Sequence, residues 1–332
     1  MRVLITGVAG FLGSSLAKRL VELGHEVVGL DILHRNEAWR LGDLKIDYLW
    51  KNSEDVHQDD IPSHVIHCAA STDVPHTAAS PRHAVNASIH GTVALLEACK
   101  RAMEPGSQHA ARDPLKRVIV VSSYSAYGRV PHGALGITEE NVLKPTTLYG
   151  AMKAAQEAIA WGFWQSNNVP VACIRLATLY GENSRATLPV ALFMGKALKN
   201  EPITITGTGQ QTRDQNYISN AVDGIIQALF KKEHAAGMSC GHEPVEISGR
   251  AYNIGSGHEI TMAMLATLCI EAVRDAGHDT SSKIVYTPPR FGEEGRLFLD
   301  NGVAENVFGY KPAIGLEKGL KRTAKWMVKR IS

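Results

Sequence analysis

Short apolar runs and helical patterns alternate along the first half of this chain. The helical patterns include "SSLAKRLVELG", "GTVALLEACKRAM" and "YGAMKAAQEAIAWGFWQS", and the apolar runs are "RVLIT", "HEVVGLD", "SHVIHCAA", "RVIVVSS" and "VPVACIRLA". Apolar runs that lack strict alternation predict strands buried on both faces, and helices between such strands are typical of parallel connections. The pattern therefore predicts an α/β fold with a doubly wound parallel sheet.

The composition of the chain changes near Tyr180. Beyond it, pieces rich in Gly, Pro and Thr, such as "GENSRATLP" and "NEPITITGTGQQTRDQ", interleave with helical stretches. We predict that residues 1–177 form a first domain, to which a strand and a helix around 214–256 return. Residues 178–332, mostly 178–213 and 257–332, are predicted to form a smaller lobe that faces the carboxyl ends of the strands. The segment 231–250 is expected to be an exposed excursion.

The charge and the cysteine content limit the classes of protein to which this chain can belong. The 35 Lys and Arg residues nearly balance 33 Asp and Glu residues, and a net charge of +2 gives no global field to recruit nucleic acid or an anionic membrane. The first residues lack the pattern of a signal peptide, and no apolar run approaches the roughly 18 residues of a membrane span. Five cysteines without a close CxxC pair are typical of reduced thiols and favour a cytoplasmic protein.

The stretch "TGVAGFLG" at residues 6–13 follows the first apolar run and opens a helical pattern. Gly7 permits a tight turn, Gly10 lets the backbone approach a pyrophosphate, and Gly13 lets the helix pack closely on the strand. The N-terminus of the helix then faces the phosphates. This arrangement predicts a dinucleotide site.

A carboxylate at the end of the second apolar run strengthens that prediction. Asp31 ends "EVVGLD", where it can accept hydrogen bonds from both hydroxyls of an adenosine ribose. The same charge repels a 2′-phosphate, so NAD is favoured over NADP. Arg35 lies four positions after Asp31, and an arginine near this site would favour NADP, because it can pair with the 2′-phosphate.

The stretch "LYGAMK" places Tyr149 and Lys153 four residues apart, on one face of a predicted helix. The lysine ammonium favours the ionised phenolate, so Tyr149 can take a proton from a substrate hydroxyl as hydride leaves the carbon. Lys153 can also donate to the nicotinamide ribose. The run "VIVVSSYSAYG" ends a strand in Ser122 and Ser123, at the edge of the sheet where a serine hydroxyl can polarise the reacting group.

These residues carry a resemblance to a known family. The matching motifs are "TGVAGFLG", "GDL", "HCAA", "VNASIHGT", "VVSSYSAYG", "LYGAMK", "IRLATLYG", "GTGQQTRDQNYI", "YNIGSG" and "GYKPAIGLEKGLKRT". Their order and spacing resemble those of the extended short-chain dehydrogenase/reductases, in the branch that acts on nucleotide sugars, over nearly the whole chain. The resemblance implies a Rossmann domain that binds NAD and a smaller C-terminal α/β lobe that binds the substrate.

The resemblance also implies roles for individual residues. In the implied catalytic set, Ser123 supplies the catalytic hydroxyl, Tyr149 is the acid or base, and Lys153 is its partner. The cofactor contacts, with Asp43 and Leu44 flanking the adenine, are Gly7, Gly10, Phe11, Leu12, Gly13, Asp31, Asp43, Leu44, Ala69, Ala70, Tyr149 and Lys153. The substrate contacts are Ser123, Thr178, Arg213 and Arg290. Arg213 and Arg290 are expected to clamp a nucleotide diphosphate, because guanidinium forks pair with phosphate oxygens in two-point geometry.

Several positions depart from the family pattern, among them Tyr124, Ser125 and Thr178. Tyr124 and Ser125 stand where the dehydratases of this family carry an Asp-Glu pair, and neither can replace a carboxylate, so 4,6-dehydration is disfavoured. Thr178 stands where an asparagine is usual before "YG", which alters how the sugar or its phosphate is held.

The leading hypothesis is an NAD-dependent nucleotide-sugar epimerase acting at C4, in which hydride passes to bound NAD and returns to the opposite face of the keto sugar. The alternative is a nucleotide-sugar oxidoreductase of the same fold, a keto-sugar reductase or dehydrogenase, because it uses the same Ser/Tyr/Lys set. An epimerase should purify with NAD bound, whereas a dehydrogenase should consume added NAD. A non-catalytic sensor is disfavoured because both Tyr149 and Lys153 are present.

Two further expectations concern metals and assembly. His234, Cys240, His242 and His258 have no compact zinc-ligand spacing, so we predict no metal site. The helical stretches 91–103 and 149–164 carry apolar residues beyond one stripe, and the corresponding helices of the family form a four-helix dimer interface. The resemblance therefore implies a homodimer.

Overall fold

The computed structural model describes residues 1–105, 113–129, 136–232, 247–289 and 295–331. The strands are β1 (Arg2–Thr6), β2 (Glu26–Asp31), β3 (Asp47–Trp50), β4 (His64–His67), β5 (Arg117–Ser123), β6 (Val171–Leu176), β7 (Thr178–Tyr180), β8 (Ile203–Thr206), β9 (Thr212–Arg213), β10 (Gln215–Tyr217), β11 (Ala251–Ile254), β12 (Ile260–Thr261), β13 (Ile284–Thr287) and β14 (Arg296–Leu297).

The helices surround these strands. They are α1 (Phe11–Glu22), α2 (Val74–Ala79), α3 (Pro81–Val85), α4 (Gly91–Ala102), α5 (Leu148–Asn167), α6 (Pro189–Leu198), α7 (Ile218–Phe230), α8 (Met262–Asp275), α9 (Gly302–Phe308) and α10 (Leu316–Lys329). A π-helical segment, Asn86–His90, joins α3 to α4, and a 3-10 turn, Tyr124–Ala126, follows β5. None of the helices in the described ranges is long and apolar enough to cross a membrane.

A seven-stranded sheet forms the centre of the molecule. Its strand order is β11-β6-β5-β4-β1-β2-β3, and all neighbouring strands are parallel. The strand order reverses at the β1/β4 pair: β2 and β3 follow on one side of β1, whereas β4 and the later strands lie on the other. In sheets of this kind, ligands bind in the crevice at that point, outside the carboxyl ends of the strands. The predicted doubly wound fold is confirmed. Strand β3 was not among the apolar runs of the sequence.

Burial on both faces explains why the central strands read as unbroken apolar runs. Every residue of β5 is buried. Val118 and Val120 belong to the apolar cluster on one face, whereas Ile119 and Val121 belong to the cluster on the other. Because successive side chains of a strand point to opposite faces, a strand covered on both sides must be apolar at consecutive positions.

Smaller sheets lie outside the central sheet. Strand β7 pairs with β10, β8 pairs with β13, and β9 lies between β12 and β14. Helix α7 returns to the central sheet, where it packs on α1 and β5, and the Arg19 Nε and Asp223 Oδ1 atoms lie 3.4 Å apart. Strand β11 then joins the sheet beside β6. The division of the chain at 177/178 stays a prediction.

Candidate active site

A cavity of about 670 Å³ lies at the carboxyl ends of the central strands. Most of the residues predicted from sequence to bind cofactor or substrate, or to catalyse, line it. They are Gly7, Gly10, Phe11, Leu12, Gly13, Asp31, Ala69, Ala70, Ser123, Tyr149, Lys153, Thr178 and Arg213. Residues that are far apart in sequence are thus brought to one surface by the parallel sheet.

The glycine-rich loop closes tightly between β1 and α1. Gly7 has φ +70°, in the left-handed region, and its N–H donates to the Leu30 carbonyl over 2.8 Å. A Cβ at Gly13 would lie 2.2 Å from the Gly7 carbonyl oxygen, which is closer than any two such atoms can approach. Only glycine therefore lets the first turn of α1 sit against the loop, so its N-terminus faces the cavity. These features fit a dinucleotide pyrophosphate.

The Asp31 carboxylate lies at the next strand end and is fixed by backbone donors. Its Oδ2 accepts from the Ala9 N–H over 2.9 Å, and its Oδ1 accepts from the Leu33 N–H over 3.1 Å. Arg35 points elsewhere: its Nη2 donates to the carbonyl oxygens of Gly42 and Leu44 over 2.7 and 3.2 Å. The Asp31 carboxylate lines the cavity, while the guanidinium of Arg35 is bonded to backbone carbonyls, which fits NAD.

The structure does not bring Asp43 and Leu44 to the cavity wall. Both precede β3 in the turn that Arg35 holds, and Asp43 is exposed. Asn52 and Ser53, just beyond the carboxyl end of β3, line the cavity instead. The contact of Asp43 and Leu44 with the adenine stays a prediction; in a parallel sheet, ligands usually meet the residues that follow a strand rather than those that precede it.

Helix α5 and strand β5 bring the predicted catalytic groups together. Tyr149 lies in the first turn of α5, and the Thr147 hydroxyl caps this helix by accepting from the Gly150 N–H over 3.1 Å. A hydrogen bond joins the side chains of Tyr149 and Ser123. The Lys153 ammonium donates to the Val121 carbonyl over 2.8 Å. The two hydroxyls and the ammonium can therefore act on one substrate group.

Burial shifts the pKa values of Tyr149 and Lys153, the two predicted catalytic groups on α5. It raises the pKa of Tyr149, although the hydrogen bond to Ser123 and the charge of Arg185 oppose this shift. Burial also lowers the pKa of Lys153 to about 8, although the nearby Cys68, Glu157 and Cys173 act to raise it. Because a free phenol and a free ammonium have pKa values of about 10 and about 10.4, the opposite shifts move the two pKa values apart, and Lys153 loses its proton before Tyr149 as the pH rises.

A sequence model of the NAD-dependent epimerase/dehydratase family matches residues 3–255, which is more than half of the chain. The chain belongs to this family. The predicted membership and the prediction of NAD as the cofactor are both confirmed at the level of the family.

Relatives of known name extend the match along the chain. UDP-glucuronate 4-epimerase 5 of Arabidopsis thaliana is 29% identical, over 98% of this chain and 75% of that protein. The structure of UDP-glucose 4-epimerase from Thermotoga maritima with UDP-glucose is 26% identical, with a TM-score of 0.84 and full coverage of both chains. UDP-glucose 4-epimerase from Thermus thermophilus, in complex with NAD, is 26% identical, with a TM-score of 0.81 over 99% of both chains.

Two arginines that line the cavity were not predicted from the sequence. Arg185 Nη1 donates to the Thr72 hydroxyl over 2.9 Å, and Arg40 Nε donates to the Asn183 carbonyl over 2.9 Å. Burial and the charge of Arg185 both lower the pKa of Arg40. Within the part of the chain that the structure describes, neither arginine forms an ion pair with a carboxylate. The cavity therefore holds two cations that an anionic ligand can neutralise.

Two of the departures from the family pattern contact each other. The Tyr124 and Thr178 hydroxyl oxygens lie 2.5 Å apart, and both residues line the cavity. The hydrogen bond joins the end of β5 to β7 on the wall that also carries Ser123. Thus the position of the dehydratase carboxylate is filled by a phenol that bonds to a second hydroxyl.

Some of the predicted residues lie outside the described residues. Arg290 is one, so the proposed arginine pair is represented in the structure by Arg213 alone, which lines the cavity. His234, Cys240 and His242 are others. Among the residues that are described, no three His, Cys, Asp or Glu side chains lie close enough together to hold a metal ion.

Proposed function

We propose that this protein is an NAD-dependent nucleotide-sugar 4-epimerase. One observation carries the proposal: Ser123, Tyr149 and Lys153 share the wall of a single cavity with the glycine-rich loop and Asp31. The UDP-sugar 4-epimerases among the relatives support the same activity. Tyr124 and Ser125, which offer no carboxylate at the end of β5, argue against dehydration.

The side chains divide the proton chemistry between them. The Tyr149 phenolate takes the proton of the C4 hydroxyl, the Ser123 hydroxyl hydrogen-bonds to the same oxygen, and the Lys153 ammonium stabilises the phenolate. NAD held by the glycine-rich loop and Asp31 would supply the acceptor, and then the donor, of the C4 hydride. The keto sugar presents its other face, and Tyr149 gives the proton back to the oxygen. No proton or electron is lost over the cycle.

The alternative function is net oxidation or reduction of a nucleotide sugar by the same three side chains. To separate the two, purified protein without added NAD is incubated with UDP-, dTDP-, GDP- and CDP-hexoses and hexuronates, and each is followed by proton NMR. A new C4 epimer at constant total sugar supports the epimerase. Conversion that needs stoichiometric NAD or NADH contradicts it and supports the oxidoreductase.

The cavity favours a sugar that carries a carboxylate. Arg185 lies near enough to Tyr149 for its charge to lower the pKa of the phenol, and it has no ion-pair partner among the described side chains. A guanidinium and a carboxylate form a strong two-point hydrogen bond. We therefore infer a UDP-hexuronate as the substrate, in line with the UDP-glucuronate 4-epimerase relative.

The remaining contacts of the substrate and the cofactor are proposed for other residues of the site. Arg213 on the cavity wall and Arg290 are proposed to bind the diphosphate, and Thr178 the sugar. On the cofactor side, the position of Asn52 and Ser53 after β3 supports a role for both beside the adenine.

Turnover should fall as the pH rises above about 8. Burial lowers the pKa of Lys153 to about 8, so its positive charge is lost in a range where an exposed lysine, with a pKa of about 10.4, keeps it. Without that charge the Tyr149 phenolate is less stable, and kcat falls. The test is kcat at saturating substrate between about pH 6 and about pH 10. A kcat that stays level to the upper limit would contradict the role of Lys153.

We also propose a homodimer formed through α4 and α5. Trp161 on α5 is 52% exposed in the single chain, whereas the neighbouring Trp164 packs against Gly249. We expect light scattering at micromolar concentration to give a dimer for the wild type and a monomer for Trp161→Asp. A wild-type monomer would overturn the proposal. The free thiols Cys68, Cys99, Cys173 and Cys269 support a cytoplasmic location.

A further inference from the structure

A buried ion pair lies one helical turn beyond Lys153. Glu157 follows Lys153 by four residues on α5, so Tyr149, Lys153 and Glu157 share one face of the helix. The Arg175 Nε atom donates to both carboxylate oxygens of Glu157 over 3.0 Å, and its Nη2 donates to Oε2 over 2.6 Å. Both side chains are 8% exposed. The mechanism above uses neither of them.

The pair joins helix α5, which carries Tyr149 and Lys153, to strands β5 and β6. The Ser122 hydroxyl donates to Glu157 Oε1, and Ser122 is the residue next to Ser123 and lies in register with Arg175 across β5 and β6. Arg175 Nη1 donates to the Tyr127 hydroxyl over 2.7 Å, and its guanidinium lies 4.7 Å from the centre of that ring. The end of β5 is therefore fastened to α5 through Glu157.

Glu157 also supplies the negative charge near Lys153. From β4, His67 faces the lysine, but burial lowers its pKa to about 3, so it is neutral. Burial raises the pKa of the Cys68 thiol to about 12 and that of Cys173, on β6, well above its usual value, so both thiols stay protonated. The Glu157 carboxylate, which forms the ion pair with Arg175, is the acidic side chain whose charge acts on Lys153.

A buried ion pair is a weak source of stability, because the cost of removing both charges from water offsets their attraction. An apolar pair of similar volume would hold α5 against β6 equally well. The position of this pair beside the lysine therefore calls for a role that an apolar pair could not fill.

We propose that Glu157 and Arg175 are positioning residues for the acid–base chemistry: the pair sets the charge around Lys153 and fixes Ser123 through Ser122. The inference rests on the proposed function, because it assigns a purpose to the Lys153–Tyr149 pair. It adds two residues that act through others and touch neither cofactor nor substrate.

The test reads the titration of Lys153 directly, by NMR of protein labelled at the lysine ¹³Cε carbon and saturated with NAD. The Lys153 resonance is assigned by its loss in Lys153→Arg. In Glu157→Gln, the unpaired Arg175 charge remains, and we expect the pKa of Lys153 to fall by roughly one unit. In Arg175→Met, the unpaired carboxylate remains, and we expect the pKa to rise. The alkaline limb of kcat should move in the same two directions.

The double variant Glu157→Met/Arg175→Met separates charge from position. It removes both charges of the pair, so the pKa of Lys153 loses the raising effect of Glu157 and should fall, but by less than in Glu157→Gln, where the Arg175 charge remains. The value of kcat should fall roughly tenfold because Ser122 has lost its acceptor. The matched control is Glu259→Gln, which removes the carboxylate of a second two-point pair, with Arg296, and should leave the Lys153 titration unchanged. Near-ultraviolet circular dichroism and NAD affinity verify folding.

Opposite shifts in the two single variants support the inference, and shifts of the same sign, or none, overturn it. If the single variants do not fold, the double variant decides: an unchanged kcat would overturn the inference, and a reduced kcat with wild-type NAD affinity would support it. The titration needs no turnover. A wild-type protein that epimerises no sugar would therefore refute the proposed function without deciding the charge relation.

Discussion

Replacing Tyr149 with Phe is expected to lower kcat for epimerisation by roughly three orders of magnitude, within the range for loss of a general acid–base group. The change removes the one hydroxyl that is hydrogen-bonded to Ser123 and lies on the same helical face as Lys153. Phe keeps the ring and its packing, so the first turn of α5 should be preserved. The measurement is the rate of C4 epimer formation by proton NMR at saturating substrate.

The affinity for NAD distinguishes a chemical effect from a structural one. The glycine-rich loop and Asp31 lie on other elements, so the Kd of NAD should change by only a few fold. The matched control is Tyr286→Phe on β13, where the ring is 55% exposed and far in the fold from the catalytic set; its kcat should equal that of the wild type. Turnover that survives in Tyr149→Phe would remove this residue from the mechanism.

The parts of the site that follow from local sequence were predictable. The spacing of Gly7, Gly10 and Gly13 fixes a turn between a strand and a helix, and the spacing of four positions from Tyr149 to Lys153 fixes a shared helical face. In each case the residues that define the geometry are near neighbours in the chain. The apolar runs likewise indicated the buried strands, because both faces of the sheet are covered.

Strand β3 was not predicted from the local sequence. Its sequence "DYLW" is short, begins with a charged residue and is only partly buried at the edge of the sheet. The resemblance implied that Asp43 and Leu44, in the motif "GDL" at 42–44, flank the adenine. The strand lies a few residues later, and so Asn52 and Ser53 occupy the cavity wall.

The cavity arginines could not be predicted for a different reason. Arg185 contacts Thr72 across 113 residues of sequence, and Arg40 contacts Asn183 across 143. Nothing local distinguishes either from an arginine on the surface. Their position depends on how the segment after β7 packs against Thr72 and Arg40 at the cavity, which is a property of the tertiary fold. The contact between Tyr124 and Thr178 has the same origin.

Replacing Arg185 with Met is expected to lower kcat/KM for UDP-glucuronate by roughly 100-fold, which corresponds to about 2.7 kcal/mol of transition-state stabilisation. The loss arises because the sugar carboxylate gives up a charge-assisted two-point contact. UDP-glucose lacks the carboxylate, so its kcat/KM should change by only a few fold. Arg185→Lys should recover part of the loss, since it restores the charge but not the planar fork.

The control for this prediction is Arg330→Met. Arg330 approaches the same segment, through Asn183 over 3.4 Å, but does not line the cavity, so neither sugar should be affected. The decisive quantity is the ratio of kcat/KM values for the two sugars, because damage to the fold or to NAD binding lowers both values together and leaves the ratio constant. An equal loss for both sugars in Arg185→Met would mean that the guanidinium binds a group they share, such as the diphosphate. That outcome would contradict the hexuronate assignment while leaving 4-epimerisation itself intact.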